Sequence, residues 1–573
     1  RSIFDDAIIN KQGGDLSLNN TIDKNNSATL VFEKLVFEGP SKLYITDEDI
    51  TVGNKSIDAT LVFKKGGEIE LINPLKAILY TSFLELAGGY NLTLSSGMVL
   101  SPTVIKSTGL DCSDLSIIQS SEEGNPAFID LAVGQQLDFI AFKDIQIRNS
   151  VITANNSIDL GGNGNRITFN LIEGTTKYWV GGDGDWYDEN HWDITSNGSG
   201  GACPPTPLDT VIFDNLSFSG NTSILVSNAE TKDVFWHDLE DQTINGGSIQ
   251  LLSRSTRAFG YGSVRLGQNI DIKLDRLYLR SVEKGEEVSL QSVSNAIGNI
   301  YFNGAGGWSI TSDLNVFDFN VYDGDVAFND GQYNIGRFYV RGSSKKDILL
   351  GSSKINIQAT SGDAWTITAD NTAVSNDPGS EIRLSAGTSM RNQLDQIGNN
   401  VIEYGAVYFE IRNLNALSTI LTDKGNNYVS FNKLVFESDG ELIGSNIMDS
   451  LIFAPDRTYT FDSDGTENIN TYWFMLGSAC EGNITLQSSL PGSQANVVSK
   501  SSLQLLSDFV EIQDIAITPN KPFDAGANSI DLGNNSGWTF GNNANSSDGF
   551  LGPDKYLCQN TPTSLINPKT GSY

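Results

Sequence analysis

The chain has 573 residues, beyond the size at which a single core stops growing, so we expect several domains or a repeat array. Its 37 Lys and Arg against 69 Asp and Glu give a net charge of -32, which makes contact with a phosphate backbone unfavourable and excludes nucleic acid as a partner. Only 18% of residues are charged, and Asn, Ser, Thr and Gly fill the polar positions, which favours strands and turns.

Short segments along the chain alternate apolar and polar residues with period two, as in 157–160 and 354–357, and we find no convincing amphipathic helix. Further strand candidates are separated by Gly, Asn, Asp and Ser at spacings of often about 15 to 28 residues. These candidates are 264–266, 288–290, 308–310, 355–357, 365–367 and 382–384.

One module is written twice in the chain. The pentapeptide Lys-Leu-Val-Phe-Glu at 34–38 recurs at 433–437, and Cys112 with its downstream Gln-Ser-Ser recurs as Cys480. Asn-Ser-Ile-Asp-Leu-Gly at 156–161 recurs at 528–533. Such self-similarity indicates a repeat architecture. We therefore predict a first module at 1–170 and a second, longer module at 177–545.

Short strands without helical crossovers favour an all-β protein whose modules are right-handed parallel β-helices, also called β-solenoids. Inward Ile, Leu, Val and Phe would form the core, and Asn and Ser at the corners would hydrogen-bond along the axis. The competing fold is a string of β-sandwiches. Residues 546–573 are interpreted as a linker and the first strand of an Ig-like β-sandwich repeat.

Three tryptophans, Trp179, Trp186 and Trp192, open the second module. We expect them to close the end of the solenoid as an aromatic cap, with Gly181 and Gly182 in a hairpin. The alternative is a platform on which sugars stack.

Two acidic clusters are candidates for calcium, because calcium takes clustered oxygen ligands. They comprise Asp183, Asp185, Asp188 and Glu189, and Asp462, Asp464 and Glu467. Neither completes an EF-hand, so we predict no cofactor and no metal residue and keep calcium as a weak alternative.

The sequence offers little for catalysis. His191 and His237 are the only histidines, so few imidazole groups could bind a catalytic zinc ion or serve in a Ser/His/Asp triad. A polysaccharide lyase or glycosidase would need converging carboxylates and a basic group, for which the candidates are Arg265, Arg276, Arg280 and Arg383. Asp144 and Asp514 occupy equivalent repeat positions, which favours a structural role. We assign no catalytic residue.

Four scattered cysteines, Cys112, Cys203, Cys480 and Cys558, form neither a disulfide framework nor a metal motif. We expect Cys112 and Cys480 to be buried free thiols and leave open whether Cys558 pairs beyond residue 573. No apolar run is long enough to span a membrane.

Three stretches resemble the very large surface adhesins of gliding Bacteroidota, of the SprB type. These are 179–192 with 209–214, which looks like their module opener, 528–538, which looks like their module closer, and 551–558, which resembles the start of their Ig-like repeats. The first module departs from this pattern, since it has Asn165, Arg166 and Ile167 where the second has Ser-Gly-Trp at 536–538.

The resemblance implies a type 9 secretion system substrate at the extracellular cell surface, attached to the outer membrane. Its partners would be the secretion and gliding machinery and a substratum polysaccharide. We therefore expect a non-catalytic adhesin segment in surface attachment and gliding motility. The alternatives are a secreted β-helix polysaccharide lyase or glycoside hydrolase, and a structural stalk.

Overall fold

The computed structural model describes residues 2–541 with short internal gaps. The gaps are 12–15, 19–28, 38–40, 46–50, 53–59, 65, 72–77, 87, 89, 108–115, 123, 171–173, 207, 219–221, 227–229, 232, 237–248, 253–256, 268–269, 291–295, 343, 369–370, 393–400, 412–415, 423–427, 501–502 and 519–521. Cys112, His237, Cys558 and the predicted start of an Ig-like domain lie outside the described residues.

The described residues form strands and no α-helix, and a 3₁₀ turn occurs at Glu189–His191. The chain divides into two compact units, the first comprising Arg1–Tyr333 and Val340–Leu349, the second Asn334–Tyr339 and Leu350–Tyr573. Except for one short antiparallel pairing in the opening loop of the second module, the strand pairs described below are parallel. The prediction of an all-β fold built from parallel β-solenoid turns is confirmed.

The strands before residue 171 are β1 (Ser2–Lys11), β2 (Leu16–Leu18), β3 (Thr29–Phe37), β4 (Ser41–Ile45), β5 (Thr51–Val52), β6 (Thr60–Phe63), β7 (Gly67–Leu71), β8 (Ile78–Leu86), β9 (Asn91–Leu94), β10 (Val99–Ser107), β11 (Ser116–Ser120), β12 (Ala127–Asp130), β13 (Gln135–Asp138), β14 (Ile140–Lys143), β15 (Ile145–Arg148), β16 (Ile152–Asn155), β17 (Ile158–Asp159) and β18 (Ile167–Asn170).

The later strands of the first unit are β19 (Thr176–Trp179), β20 (Gly184–Asp185), β21 (Trp192–Asp193), β22 (Thr210–Phe213), β23 (Thr222–Leu225), β24 (Glu230–Thr231), β25 (Asp233–Trp236), β26 (Ile249–Leu252), β27 (Arg257–Gly260), β28 (Val264–Leu266), β29 (Ile270–Leu279), β30 (Lys284–Leu290), β31 (Ala296–Ile310), β32 (Leu314–Phe328) and β34 (Lys346–Leu349). Strand β33 (Gln332–Val340) has residues in both units.

The strands of the second unit are β35 (Lys354–Ile357), β36 (Gly362–Ile367), β37 (Thr372–Ser375), β38 (Glu381–Ser385), β39 (Thr388–Asn392), β40 (Val401–Glu410), β41 (Ser418–Thr422), β42 (Tyr428–Phe436), β43 (Gly440–Ile443), β44 (Asn446–Phe453), β45 (Thr458–Phe461), β46 (Thr466–Leu476), β47 (Ile484–Ser488), β48 (Ala495–Ser499), β49 (Gln504–Asp508), β50 (Val510–Gln513), β51 (Ile515–Thr518), β52 (Phe523–Asp524), β53 (Ile530–Asp531) and β54 (Trp538–Thr539).

The first solenoid, residues 2–170, has three parallel sheets that wrap one core. One sheet runs β1-β3-β5-β8-β10-β12-β15, a second β17-β14-β11-β9-β7-β4-β2 and a third β13-β16-β18. Parallel in-register pairing places equivalent side chains directly above one another. Leu35, Leu61, Leu84 and Ile105 form such a buried column.

The same column construction continues in the second module. Within the first unit, Val264, Val288, Ile310 and Phe328 are register partners on β28, β30, β31 and β32, and all four are buried. Within the second unit, a buried column crosses six strands. Its members are Ile355, Ile382, Val407, Leu434, Leu451 and Trp473.

The repeated hexapeptide and the asparagine two residues after it make the same hydrogen bonds in both copies. Asn163 Oδ1 accepts from Ile145 N at 2.8 Å, and Asn535 Oδ1 accepts from Ile515 N at 2.9 Å. The amide of Asn163 also donates to Asp159, just as that of Asn535 donates to Asp531. The sequence repeat is therefore a structural repeat, and its polar residues hold one turn to the next.

The first solenoid packs against the second module inside the first unit. Lys143 Nζ donates to the carbonyl oxygen of Asn303 at 2.5 Å and lies 3.6 Å from Asp323 Oδ2, with both side chains buried. Beside this ion pair is an apolar cluster that comprises Ile117, Ala141, Leu160 and Tyr261, with Phe139, Leu208 and Tyr278 packed against it. A buried ion pair and an apolar patch thus join residues from the two modules.

Candidate functional site

The tryptophan opener is a buried cluster. Strand β19 pairs antiparallel with β21, so that Trp179 lies opposite Trp192, and residues 180–191 form the connecting loop. Trp179 and Trp192 are fully buried and Trp186 is 3% exposed. The faces of these rings are covered, so they cannot serve as a platform for sugars. The cap interpretation fits this geometry.

His191 completes the aromatic cluster. Its ring stacks on Trp179 with centroids 4.7 Å apart, and its Nδ1 lies 3.0 Å from the carbonyl oxygen of Val180. Trp192 Nε1 donates to the carbonyl oxygen of Trp186 at 2.6 Å. The histidine and the tryptophans therefore hold the opening loop on the solenoid.

The first acidic cluster uses its carboxylates to shape loops. Asp183 accepts from Ser223 N at 2.6 Å, Asp185 from Tyr187 N at 2.9 Å and Asp188 from Asn190 N at 3.0 Å. No group of three or more metal-binding side chains occurs among the described residues.

The second acidic cluster is split between a turn and the core. Asp462 accepts from the backbone N–H groups of Gly444 and Asp464 at 3.1 Å each. Glu467 is buried, and both of its carboxylate oxygens lie within 3.2 Å of Asn446 Nδ2. The geometry therefore separates the roles of Asp462 and Glu467, which the sequence had grouped.

The expectation of a buried free thiol at Cys480 is wrong. Cys480 lies in an exposed turn and is disulfide-bonded, as is Cys203. A reactive or buried thiol is therefore excluded at both positions, and the equivalence of Cys112 with Cys480 did not predict this chemistry.

The four arginine candidates occupy different environments. Arg265 is exposed and pairs with Glu287 at 2.7 Å, and Arg276 is also exposed, on β29. Arg280 is buried, with its guanidinium 5.6 Å from the ring centroid of Tyr278. Arg383 contacts the carboxylates of Glu381 and Glu410.

Arg383 is the centre of a half-buried ionic ladder in the second unit. Its NH2 lies 2.7 Å from Glu381 Oε2, and its NH1 forms a second ion pair with Glu410. Glu381 also pairs with Lys354 on the preceding turn. The parallel register produces this arrangement, since Lys354 is the partner of Glu381 across β35 and β38.

Tyr408 and Lys433 extend the ladder to the next strands. The guanidinium of Arg383 lies 4.5 Å from the Tyr408 ring centroid, and Lys433 Nζ lies 5.5 Å from it. Burial raises the pKa of Tyr408. Burial also lowers the pKa of Lys433, although the negative charge of nearby Glu381 opposes this decrease. The pKa of Glu381 is lowered, since its hydrogen bonds and charge contacts with Lys354 and Arg383 outweigh the effect of burial.

The ladder brings acidic and basic groups together, as an active site would, yet these groups pair with each other. Both oxygens of Glu381 contact cations, and one face of the Tyr408 ring is covered by Arg383. Mutual pairing in a row of register partners is also how solenoids satisfy polar groups on a sheet face. The arrangement therefore fits a structural ladder as well as a catalytic cluster.

A separate cleft of about 300 Å³ lies on the first solenoid. Tyr80, Thr81 and Ser82 from β8 and Ser101, Pro102 and Thr103 from β10 form one part of its wall. Asp130, Ala132 and Asn149, from the following turns, form the other part. Asn149 Nδ2 donates to Asp130 Oδ1 at 2.7 Å.

The cleft forms where neighbouring strands differ in length. Strand β10 continues to Ser107, but β12 pairs with it only at Val99 and Leu100 and ends at Asp130. The side chain of Gln135 then holds the exposed backbone of β10, because it accepts from Ile105 N at 2.8 Å and donates to Thr103 O at 2.9 Å. β10 is thus paired with β8 on one side, and on the other side, beyond Leu100, the Gln135 side chain contacts its backbone.

Among the described residues that line the cleft, Asp130 carries the one charged side chain, and the other polar side chains are hydroxyl and amide groups. Most glycosidases use two carboxylates, and the described lining of this cleft supplies one. Sequence analysis missed the cleft because its wall comes from four separate segments. The one signal was Pro102 within a strand, which marks an interrupted ladder.

Comparisons with known proteins give no relative, since no family model, no curated protein and no solved structure matches this chain.

Proposed function

We propose that this chain is a non-catalytic segment of a secreted cell-surface adhesin, in which rigid solenoid turns carry a binding cleft for extracellular polysaccharide. The observation that supports it most is the cleft at 80–82 and 101–103, which combines hydroxyl and amide groups with a single carboxylate, Asp130. Weak individual contacts are sufficient when many copies act together.

One feature supports an extracellular location. Cys203 and Cys480 are disulfide-bonded, and disulfides persist in oxidising compartments. The net charge of -32 favours solubility and disfavours binding to anionic surfaces. No described helix has the length and apolar character of a membrane span.

The finer parts of the proposal rest on resemblance. They are an Ig-like repeat that begins in 546–573, export by a type 9 secretion system, attachment to the outer membrane and a role in gliding motility. Their support is the similarity of 179–192 with 209–214, and of 528–538, to module ends of SprB-type adhesins, and of 551–558 to the start of their Ig-like repeats. The proposed right-handed sense of the solenoid rests instead on its short strands without helical crossovers.

The alternative is a polysaccharide lyase or glycoside hydrolase. The ladder around Arg383 supports it, because it places Glu381, Glu410, Tyr408 and Lys433 close together and shifts several of their pKa values.

A glycan-binding assay with a simultaneous readout of new reducing and unsaturated ends separates the two. The adhesin proposal predicts binding without cleavage, with and without calcium. If the wild type cleaves a glycan and Glu381→Gln abolishes this cleavage, the adhesin proposal is overturned in favour of the enzyme. Absence of both signals would contradict glycan binding by this segment.

A further inference from the structure

We propose that the cleft on the first solenoid selects neutral sugar rings and rejects uronic or sulfated ones. This inference rests on the proposed function and names the class of glycan that the cleft accepts.

The polar groups of the cleft match a polyhydroxylated ligand. Thr81, Ser82 and Ser101 are largely buried in the wall, while Thr103 is exposed at its edge. Hydroxyl groups both donate and accept, so they can pair with sugar hydroxyls in either direction.

The pair of Asp130 and Asn149 provides complementary groups at the other side. Asp130 Oδ1 accepts from Asn149 Nδ2, which fixes both side chains. An ionised carboxylate only accepts hydrogen bonds, whereas a carboxamide does both, so two adjacent sugar hydroxyls can be recognised together. The left-handed backbone of Asn149, with φ of 63°, places this residue beside the cleft where β15 ends.

The charge of Asp130 decides which sugars are accepted. A uronate or sulfate in the cleft would face this carboxylate, and like charges at close range are unfavourable. Two cations near the cleft, Lys106 and Arg148, each lie over an aromatic ring, and Arg148 is the register partner of Asp130. Arg148 lies 3.8 Å from the ring centroid of Phe128, and Lys106 lies 3.7 Å from Glu85 and 4.6 Å from the Phe83 ring.

The test compares neutral hexasaccharides of glucose and mannose with oligogalacturonate and oligomannuronate, by titration calorimetry on the full chain. We expect the wild type to bind a neutral probe and to bind the acidic probes at least about tenfold more weakly. Asp130→Asn should lower the affinity for the neutral probe by about tenfold, since a hydrogen bond to a charged group contributes that much. This substitution should also reduce the difference in affinity between the neutral and the acidic probes. Asp138→Asn, at an exposed position of β13, is the control and should change neither affinity.

Each outcome separates the inference from the proposed function. Equal or stronger binding of the acidic probes by the wild type would overturn the selectivity and leave the adhesin standing. Neutral binding that Asp130→Asn does not weaken would place the contact outside this cleft and also overturn the inference. Binding of no probe would contradict both proposals.

Discussion

Glu467 lies inside the core of the second unit, at the end of a polar chain that crosses three turns. Thr422 Oγ1 donates to Asn446 Oδ1 at 2.7 Å, and Asn446 Nδ2 donates to the Glu467 carboxyl at 3.1 Å. Burial, with Asp462 nearby, raises the pKa of Glu467 to about 8. The side chain therefore stays protonated in the folded protein near neutral pH.

This pKa makes stability depend on pH. The ordinary value is 4.5, so the unfolded chain releases the proton first, and stability present below about 4.5 is lost as pH rises through about 8. Glu467→Gln should remove this slope and stabilise the protein at pH 8 by a few kcal/mol, since one pKa unit corresponds to about 1.4 kcal/mol. Calorimetric melting between pH 4.5 and 8.5 tests it.

The exposed Glu481→Gln variant is the control for Glu467→Gln and should keep the pH dependence of the wild type. If Glu467→Gln retained the wild-type slope, the carboxyl would be charged in the folded state and the polar chain would be wrongly described.

At the scale of elements, the conformation of the opening loop requires its backbone at Gly184 to lie close to His191. A methyl group at Gly184 would lie 2.3 Å from His191 Nε2, whereas one at Gly182 would meet nothing within 4 Å. The His191 ring stacks on Trp179 and cannot move away without breaking the cluster.

The two glycines therefore form a matched pair. Gly184→Ala should destabilise the protein by about 1–3 kcal/mol, as overpacking does, while Gly182→Ala should leave it nearly unchanged. Thermal denaturation followed by tryptophan fluorescence reports on the cluster. If both substitutions changed the stability equally, the loop would be able to adjust its conformation around His191 and would not act as a cap.

Individual strands were well predicted where alternation was strong. Residues 355–357 lie in β35, whose burial alternates, and 382–384 lie in β38. The lengths of strands were not predictable, because β31 and β32 each extend over 15 residues. Stacking on a neighbouring turn, and not local propensity, determines where such a strand ends.

At the scale of the molecule, the two modules differ at the positions where the first one packs on the second. Lys143 and Asp144 correspond to Gln513 and Asp514 in the repeat. Asp514 accepts from Asn534 Nδ2 at 2.6 Å, but Gly162 stands at the equivalent position beside Asp144. Burial raises the pKa of Asp144, and the charge of Lys143 opposes that shift.

Lys143→Ala should therefore destabilise the first unit strongly, by roughly 3–5 kcal/mol, because it leaves Asp323 buried without its cation. Lys106→Ala is the matched control, since Lys106 is half exposed in its pair with Glu85 and should cost at most about 1 kcal/mol. Urea denaturation of the full chain measures both. A cost for Lys143→Ala as small as the control would mean that the ion pair does not hold the junction.

The sequence by itself determined the all-β solenoid character and the repeat, and it indicated that Asn and Ser would occupy the corners, because these features follow from short-range alternation and turn chemistry. Tertiary structure alone decided the cleft around Asp130, the ladder around Arg383 and the exposure and disulfide bonding of Cys480. Each of these depends on which turns are neighbours and where a strand stops. That information lies in the stacking register, which brings together residues that no local pattern connects.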